Sequence, residues 1–152
     1  MLQEILENIN NFFVPISAKK ETYTISSGMI SPAFGAQDGN RFLICGSRRN
    51  DGVYTWHDDF IADDDDFDVA GLCDETFAGT IRVMSVPPAV IALSREKSQW
   101  EETYGAQLST PMGSESFNGY SYTLKTGKNG GALTWYDTPA GKSLERWRRP
   151  CL

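Results

Sequence analysis

The chain has 152 residues, 40% of them hydrophobic and 12% aromatic, which is enough apolar material for one domain with a buried core. Its formal net charge of −6 argues against a general DNA-binding surface, because neutralising phosphates requires clustered lysine and arginine. No stretch approaches the roughly 20 apolar residues of a membrane span, and the acids and amides near the N-terminus predict no export. Three cysteines without a CxxC pair predict free thiols in a reducing compartment.

The first predicted element is an N-terminal helix, 1–14, in which apolar residues recur at the i, i+3, i+4 spacing. The period then changes, and β-branched and aromatic residues predict a small antiparallel β-module over 21–70. Its predicted strands lie at Thr22–Ile25, Met29–Ile30, Arg41–Cys45 and Val53–Trp56.

The central stretch, 72–105, is predicted to form two helical segments that are joined at a proline pair. Phe77, Ile81 and Met84 follow one another at the i, i+4, i+7 spacing of one helical stripe. The prolines end the first segment and suit the first turn of a second helix, which is expected to end at Gly105. This bent helical pair is the expected core, and the β-module is expected to be inserted before it.

The segment after this core is predicted to form an extended β-hairpin arm over 114–136. Its expected strands are Ser116–Lys125, where aromatic residues alternate with small polar ones, and Ala132–Tyr136. A two-stranded ribbon is marginally stable alone, so the arm requires a partner, either the main body or a second chain. A short C-terminal helix, 138–149, follows with Thr138 as its N-cap. The expected fold class is therefore α+β in a single domain.

The polar residues of the sequence do not form a recognisable catalytic pattern. His57 is the only histidine, and no nucleophile motif accompanies it. Asp63, Asp64, Asp65 and Asp66 form an acidic run whose first interpretation is a solvated loop, because consecutive residues of an extended segment point opposite ways. Adventitious cation binding and an acid/base carboxylate pair remain open for this run. We predict no catalytic, cofactor-binding or metal-binding residue.

Three short stretches occur together in this sequence: Gly46–Tyr54, Asp74–Pro88 and Ser114–Tyr122. Their combination resembles the head–tail connector (adaptor) proteins in the neck of siphovirus-like tailed bacteriophages. The Ser-Glu-Ser-x-x-Gly-Tyr-Ser run of the third stretch resembles the extended arm of such adaptors. The Asn-Asp-Gly strand pair of the first resembles small β-modules of phage neck and joining proteins.

The resemblance implies a non-enzymatic structural protein of the virion, assembled in the host cytoplasm. It would form a ring of twelve subunits between portal and tail, beside other neck or tail proteins, and line the conduit for genomic DNA without sequence-specific binding. The acidic run 63–66 would then repel the passing phosphates. A head-closure (stopper) or tail-joining position in the neck remains open.

Two sets of residues are assigned to contacts under this resemblance. The inter-subunit arm consists of Ser114, Glu115, Ser116, Phe117, Gly119, Tyr120 and Tyr122. Portal docking is assigned to Leu144, Arg146, Trp147, Arg148 and Arg149, because arginine and aromatic residues anchor many interfaces.

Two other classes of function remain as alternatives. A carbohydrate- or protein-binding module would act as a monomer, with Trp56 or Trp135 exposed. An enzyme would use carboxylates between Asp58 and Asp68, and would lose activity when they become asparagines.

Overall fold

The structure is a computed structural model whose main feature is a curled six-stranded antiparallel sheet. Of residues 106–108 and of the two strands between 114 and 123 it describes the backbone only. The residues that it describes are 1–63, 69–108, 114–117, 120–123 and 134–150.

All neighbouring strands of the main sheet pair antiparallel, and the strands that the sequence predicts between residues 22 and 56 are present. The strands are β1 (Glu21–Ser26), β2 (Met29–Ser31), β3 (Arg41–Cys45), β4 (Gly52–Trp56), β5 (Ile61–Ala62) and β6 (Glu75–Val83). Their order across the sheet is β2-β1-β6-β3-β4-β5. The sixth strand therefore lies inside the sheet, between β1 and β3.

In the described residues, three α-helices accompany the sheet: α1 (Leu2–Asn8), α2 (Pro88–Leu108) and α3 (Pro139–Ser143). The first ends earlier than predicted, and α2 begins at the proline pair as predicted. The Thr138 hydroxyl caps α3 by accepting a hydrogen bond from the Gly141 amide at 3.1 Å. Within the described ranges, no helix has the length and apolar character needed to cross a membrane.

The predicted bent helical pair is wrong, because its first half is strand β6. A spacing of four residues fits both a helical stripe and one face of a strand, so Phe77 and Ile81 do not distinguish the two structures. Met84 distinguishes a strand from a helix, because an odd spacing from Phe77 and Ile81 puts it on the same side of a helix but on the opposite face of a strand. It belongs to the hydrophobic cluster on the opposite side of the sheet from Phe77 and Ile81. The core is therefore built on the sheet rather than on a helical pair.

The two hydrophobic clusters lie on opposite faces of β3, whose residues alternate between them. Phe42 and Ile44 face the inside of the curl, where they join Tyr23 and Phe77. Leu43 faces the helices, where α1, Val90 of α2 and the C-terminal segment cover the sheet. We name these the curl cluster and the helix cluster.

The arm also differs from its prediction. Its strands are β7 (Ser114–Phe117) and β8 (Tyr120–Thr123), which form a separate two-stranded sheet with Phe117 opposite Tyr120. The predicted return strand, 132–136, is contradicted at its end, because Trp135–Asp137 is a 3₁₀ turn. Trp135 is buried in the helix cluster, so this segment belongs to the body of the protein.

Candidate assembly interface

The segment predicted to form an inter-subunit arm contains the β7–β8 hairpin, and its contact with a second subunit stays a prediction. In the described part of the chain, these two strands pair with each other and with none of the six strands of the main sheet. The side chains assigned to contacts between subunits, from Ser114 to Tyr122, lie outside the described side chains, and Gly119 lies outside the described residues. The structure thus shows a two-stranded sheet to which no third strand is paired in the described residues.

The apolar residues predicted to dock on portal are already used within the chain. Leu144 is 2% exposed and sits in the helix cluster. Trp147 packs edge-on against Phe13, with 5.9 Å between ring centroids. Arg146 remains exposed and lies over the Trp147 ring at 5.1 Å. These contacts give Leu144 and Trp147 a structural use that needs no portal.

The last two predicted docking residues close the end of α1. Arg148 donates to the Asn8 carbonyl at 2.8 Å through its guanidinium, and the Arg149 amide donates to the Ile9 carbonyl at 3.0 Å. The carbonyls at a helix C-terminus have no partner within the helix, and a cation there is favourable. Both side chains remain exposed, so portal docking through the arginines stays a prediction.

The acidic run lies almost wholly outside the described residues, which include Asp63 but not 64–66. Within the described part of the chain, no three His, Cys, Asp or Glu side chains are grouped so that they could hold a metal. His57 is bound to Asp38, with 3.1 Å between Nδ1 and Oδ1, and stacks on Phe60. Its neighbours thus hold the imidazole in place at the surface end of β4.

A groove of about 420 Å³ opens where the chain before β1 leaves the sheet. The chain is anchored at both ends: the Phe13 carbonyl accepts from the Ser85 amide at 2.9 Å, and Glu21 pairs with Gly79. Between these anchors, residues 14–20 run opposite the shorter stretch 80–84. The extra residues make the chain bulge away from β6. We name the resulting space the bulge groove; its lining includes Pro15, Ala18, Lys19, Tyr23, Phe34 and Ile81.

The free side of β6 faces this groove. The Met84 amide donates to the Arg41 carbonyl of β3, whereas the Ser85 amide points the other way, toward the chain before β1. Successive residues of a strand direct their backbone groups to alternate sides. Ile81 and Val83 therefore direct theirs into the groove, where no described residue gives them a backbone partner.

The floor of the bulge groove is apolar and continuous with the curl cluster. Tyr23, Phe34 and Ile81 form it, and all three pack in that cluster. Burial raises the pKa of the Tyr23 hydroxyl, and a hydrogen bond with the Ile81 backbone partly offsets this shift. The hydroxyl is thus neutral at physiological pH, and the groove has a neutral, largely apolar base.

The rim of the bulge groove is polar. Lys19 and Arg82 bring positive charge to it, and Glu21 brings one carboxylate. Lys19 Nζ lies 2.6 Å from Glu21, and this hydrogen bond raises the pKa of the lysine. The sequence interpretation missed this site because it assigned 80–83 to a helix; the run Thr-Ile-Arg-Val, rich in β-branched residues, favours a strand but does not by itself exclude the helix.

A second polar feature joins α1 to α2 inside the helix cluster. Lys97, which interrupts the apolar stripe of α2 in the sequence, is 1% exposed. Its ammonium donates to Glu4 at 2.8 Å and to Glu101, and lies 5.6 Å from the centre of the Tyr136 ring. Burial lowers the pKa of Lys97, but the hydrogen bonds with Glu101 and Glu4 outweigh burial and leave this pKa raised. The lysine therefore remains charged.

Replacing Lys97 separates the roles of its aliphatic stem and its charge. We expect Lys97→Ala to lower the free energy of unfolding by about 2–4 kcal/mol, because it leaves a cavity between α1 and α2. Lys97→Met keeps the stem, and Glu4 and Glu101 stay partly exposed to water. Its expected cost is below about 1.5 kcal/mol. Urea unfolding measures both; equal losses would show that the ion pairs, rather than the stem, stabilise this contact.

In the described residues, two stretches of backbone have a side to which no strand is paired. They are the β7–β8 hairpin and the part of β6 that faces the bulge groove. No protein family, curated protein or solved structure matches the chain. The proposals below therefore depend on these two features and on the charge of the sequence.

Proposed function

We propose that this protein is a non-enzymatic structural component of a tailed-phage neck, which assembles into a ring through its β7–β8 arm. The observation that carries the proposal is the separate two-stranded sheet. An isolated hairpin is marginally stable in water, and a further strand or a packed surface stabilises it. A neighbouring subunit supplies such a strand by β-augmentation.

The charge of the chain supports the rest of the proposal. A formal net charge of −6 suits a ring through which DNA passes without sticking, because like charges repel the phosphates. The exposed residues Arg146, Arg148 and Arg149 are the basic exception and offer a surface for portal, although the Arg148 guanidinium also binds Asn8 and Glu145. The ring is proposed to have twelve subunits and to lie between portal and the rest of the neck or tail.

A proline in β7 tests the role of the arm. Ser116→Pro removes a backbone donor from the hairpin and fixes one dihedral angle, whereas Ser116→Ala keeps the backbone unchanged. We expect the wild type and Ser116→Ala to form rings in the presence of portal protein. Ser116→Pro is expected to assemble at least about tenfold more weakly, a difference of about 1.4 kcal/mol. Negative-stain microscopy and light scattering after size-exclusion chromatography measure the assembled fraction.

Two outcomes would contradict the proposal. The first is a wild-type chain that stays monomeric at all concentrations, alone and with portal. The second is a Ser116→Pro variant that assembles as well as Ser116→Ala. A monomer that binds a sugar or a peptide would instead favour the binding-module alternative.

A further inference from the structure

We propose that the β7–β8 hairpin of one copy docks in the bulge groove of a neighbouring copy and pairs there with the free side of β6. This inference rests on the proposed function and deepens it, because it names the surface that receives the arm. It assigns a role in assembly to the backbone groups of Val83 and to the carbonyl of Ile81.

Each partner in this contact supplies what the other lacks. The hairpin pairs with none of the six strands of its own chain in the described residues. Val83 and the Ile81 carbonyl point into a groove where no described backbone group meets them, while the Ile81 amide already donates to the Tyr23 hydroxyl. An incoming strand would satisfy both sides with ladder hydrogen bonds, and such main-chain bonds give β-augmentation its affinity.

The dimensions of the two features agree. Strand β7 has four residues and a length of about 13 Å, while the free stretch 80–84 is about 16 Å long. The bulge at 14–20 keeps the chain before β1 away from that stretch and leaves the groove of about 420 Å³ between them. The four-residue strand therefore matches the free stretch in length.

The two outer edges of the main sheet are less suited to the addition of a strand. Strand β2 has three residues, with Gly28 at positive φ before it and Pro32 after it. Strand β5 has two residues. Short edges and flanking prolines are how sheets discourage added strands. The free side of β6 is longer than either edge and has an apolar floor beside it.

The chemistry of the groove suits the composition of the arm. Its floor of Tyr23, Phe34 and Ile81 can receive aromatic side chains, and the sequence of the two strands provides Phe, Tyr and Tyr. Glu115 is the one charged residue of these strands, and Lys19 and Arg82 make the rim of the groove mostly positive. Charge of this kind contributes mainly to the register of the contact.

The chain connectivity separates the start of the arm from the first turn of α2. Helix α2 begins five residues after Val83, and its 21 residues carry the chain about 30 Å from its first turn. The connection 109–113 spans at most about 20 Å before the arm begins. The arm thus begins at least about 10 Å from the first turn of α2. Within the described residues it pairs with none of the six strands of its own main sheet, which leaves it available to the next subunit.

Crosslinking between two different variants tests this contact directly. Both carry Cys73→Ser and Cys151→Ser; one also carries Ala18→Cys in the groove wall, and the other Ser116→Cys in the arm. With a short bismaleimide, the mixture is expected to give at least about five times more covalent dimer than either variant alone, since crosslinking requires proximity. In the control mixture, the first variant carries Ala92→Cys, on the exposed side of α2, in place of Ala18→Cys.

A second variant tests the backbone of the groove. Val83→Pro removes an amide that does not bond to a strand of its own sheet, and the proline ring fills the space in front of it. Strands tolerate proline where the amide has no partner strand. We expect it to weaken assembly at least tenfold, while Val83→Thr, which keeps the amide, assembles like the wild type. Circular dichroism checks that both variants fold, and the crosslinking result does not depend on them.

The outcomes separate this inference from the proposed function. If Ser116→Pro prevents assembly but Val83→Pro and the crosslinking mixture behave like their controls, the arm acts elsewhere and this inference is overturned. A crosslink formed only within a single chain carrying both cysteines would also overturn it, by showing that the arm occupies its own groove. If Ser116→Pro assembles normally, the proposed function itself fails.

Discussion

Gly79→Ala is expected to lower the free energy of unfolding by more than about 3 kcal/mol. Strand β6 passes β3 very closely at this residue. A Cβ atom added to Gly79 would overlap the carbonyl oxygen of Cys45 and lie 2.9 Å from two ring carbons of Phe77. Neither neighbour can yield easily, since one is backbone and the other is packed in the curl cluster.

The matched control is Gly71→Ala, in the connection that precedes β6. A Cβ atom at Gly71 meets nothing within 4 Å, and the residue is exposed. Its effect is expected to stay within about 0.5 kcal/mol. Thermal and urea unfolding of both variants check the difference, and a Gly79→Ala variant as stable as Gly71→Ala would mean that the two strands do not approach one another in this way.

Asn50→Ala is expected to lower the free energy of unfolding by about 2–3 kcal/mol. This side chain is 1% exposed and joins the β3–β4 connection to the start of β6. Its amide nitrogen donates to the Cys73 carbonyl at 3.0 Å and to Glu75 at 3.1 Å, and its oxygen accepts from the Cys73 amide at 2.8 Å. Removing it breaks three bonds at once, two of them to backbone groups.

Two variants define what this side chain contributes. Asn40→Ala, which removes one local bond to the Gln37 amide, is the control and is expected to cost below about 1 kcal/mol. Asn50→Asp keeps the shape but loses both donated bonds and places a carboxylate beside Glu75, so it is expected to cost more than Asn50→Ala at neutral pH. A cost of Asn50→Ala no larger than that of Asn40→Ala would contradict the anchoring role.

The pH dependence of Asn50→Asp has a definite sign. Hydrogen bonds from the Ser47 hydroxyl and the Arg48 amide lower the pKa of Glu75, so its ionised form stabilises the fold above about pH 4.3, and this contribution is lost as pH falls. In Asn50→Asp, repulsion from Glu75 raises the pKa of the new carboxyl in the folded state. The deficit relative to wild type should therefore shrink as pH falls from 7 to 4; a constant deficit would contradict this account.

Much of the strand content was predictable because it depends on local chemistry. The β-branched and aromatic runs of β1, β3 and β4 have no competing helical spacing, and the turn residues between them set their ends. The start of α2 was equally local, since a proline in a first turn both ends what precedes it and begins a helix.

The arm shows a local signal that the sequence interpretation passed over. Asn118-Gly119 separates two alternating runs, and this dipeptide is a strong signal for a two-residue hairpin. Its use would have placed the strands at β7 and β8 instead of extending the arm to Tyr136. The contact residues of the arm could be proposed from the sequence only through resemblance, because no pattern in the sequence shows what a hairpin pairs with.

The sequence by itself determined the strands with an unambiguous two-residue period, the proline start of α2, the cap of α3 and the acidic balance of the whole chain. Only the tertiary structure decided that 75–83 is a strand, because a spacing of four residues fits both periods and the packing of Met84 on the opposite face resolves it. The bulge groove likewise depends on the difference in length between 14–20 and 80–84. Such a mismatch exists only once the two segments are brought side by side, so no local pattern can encode it.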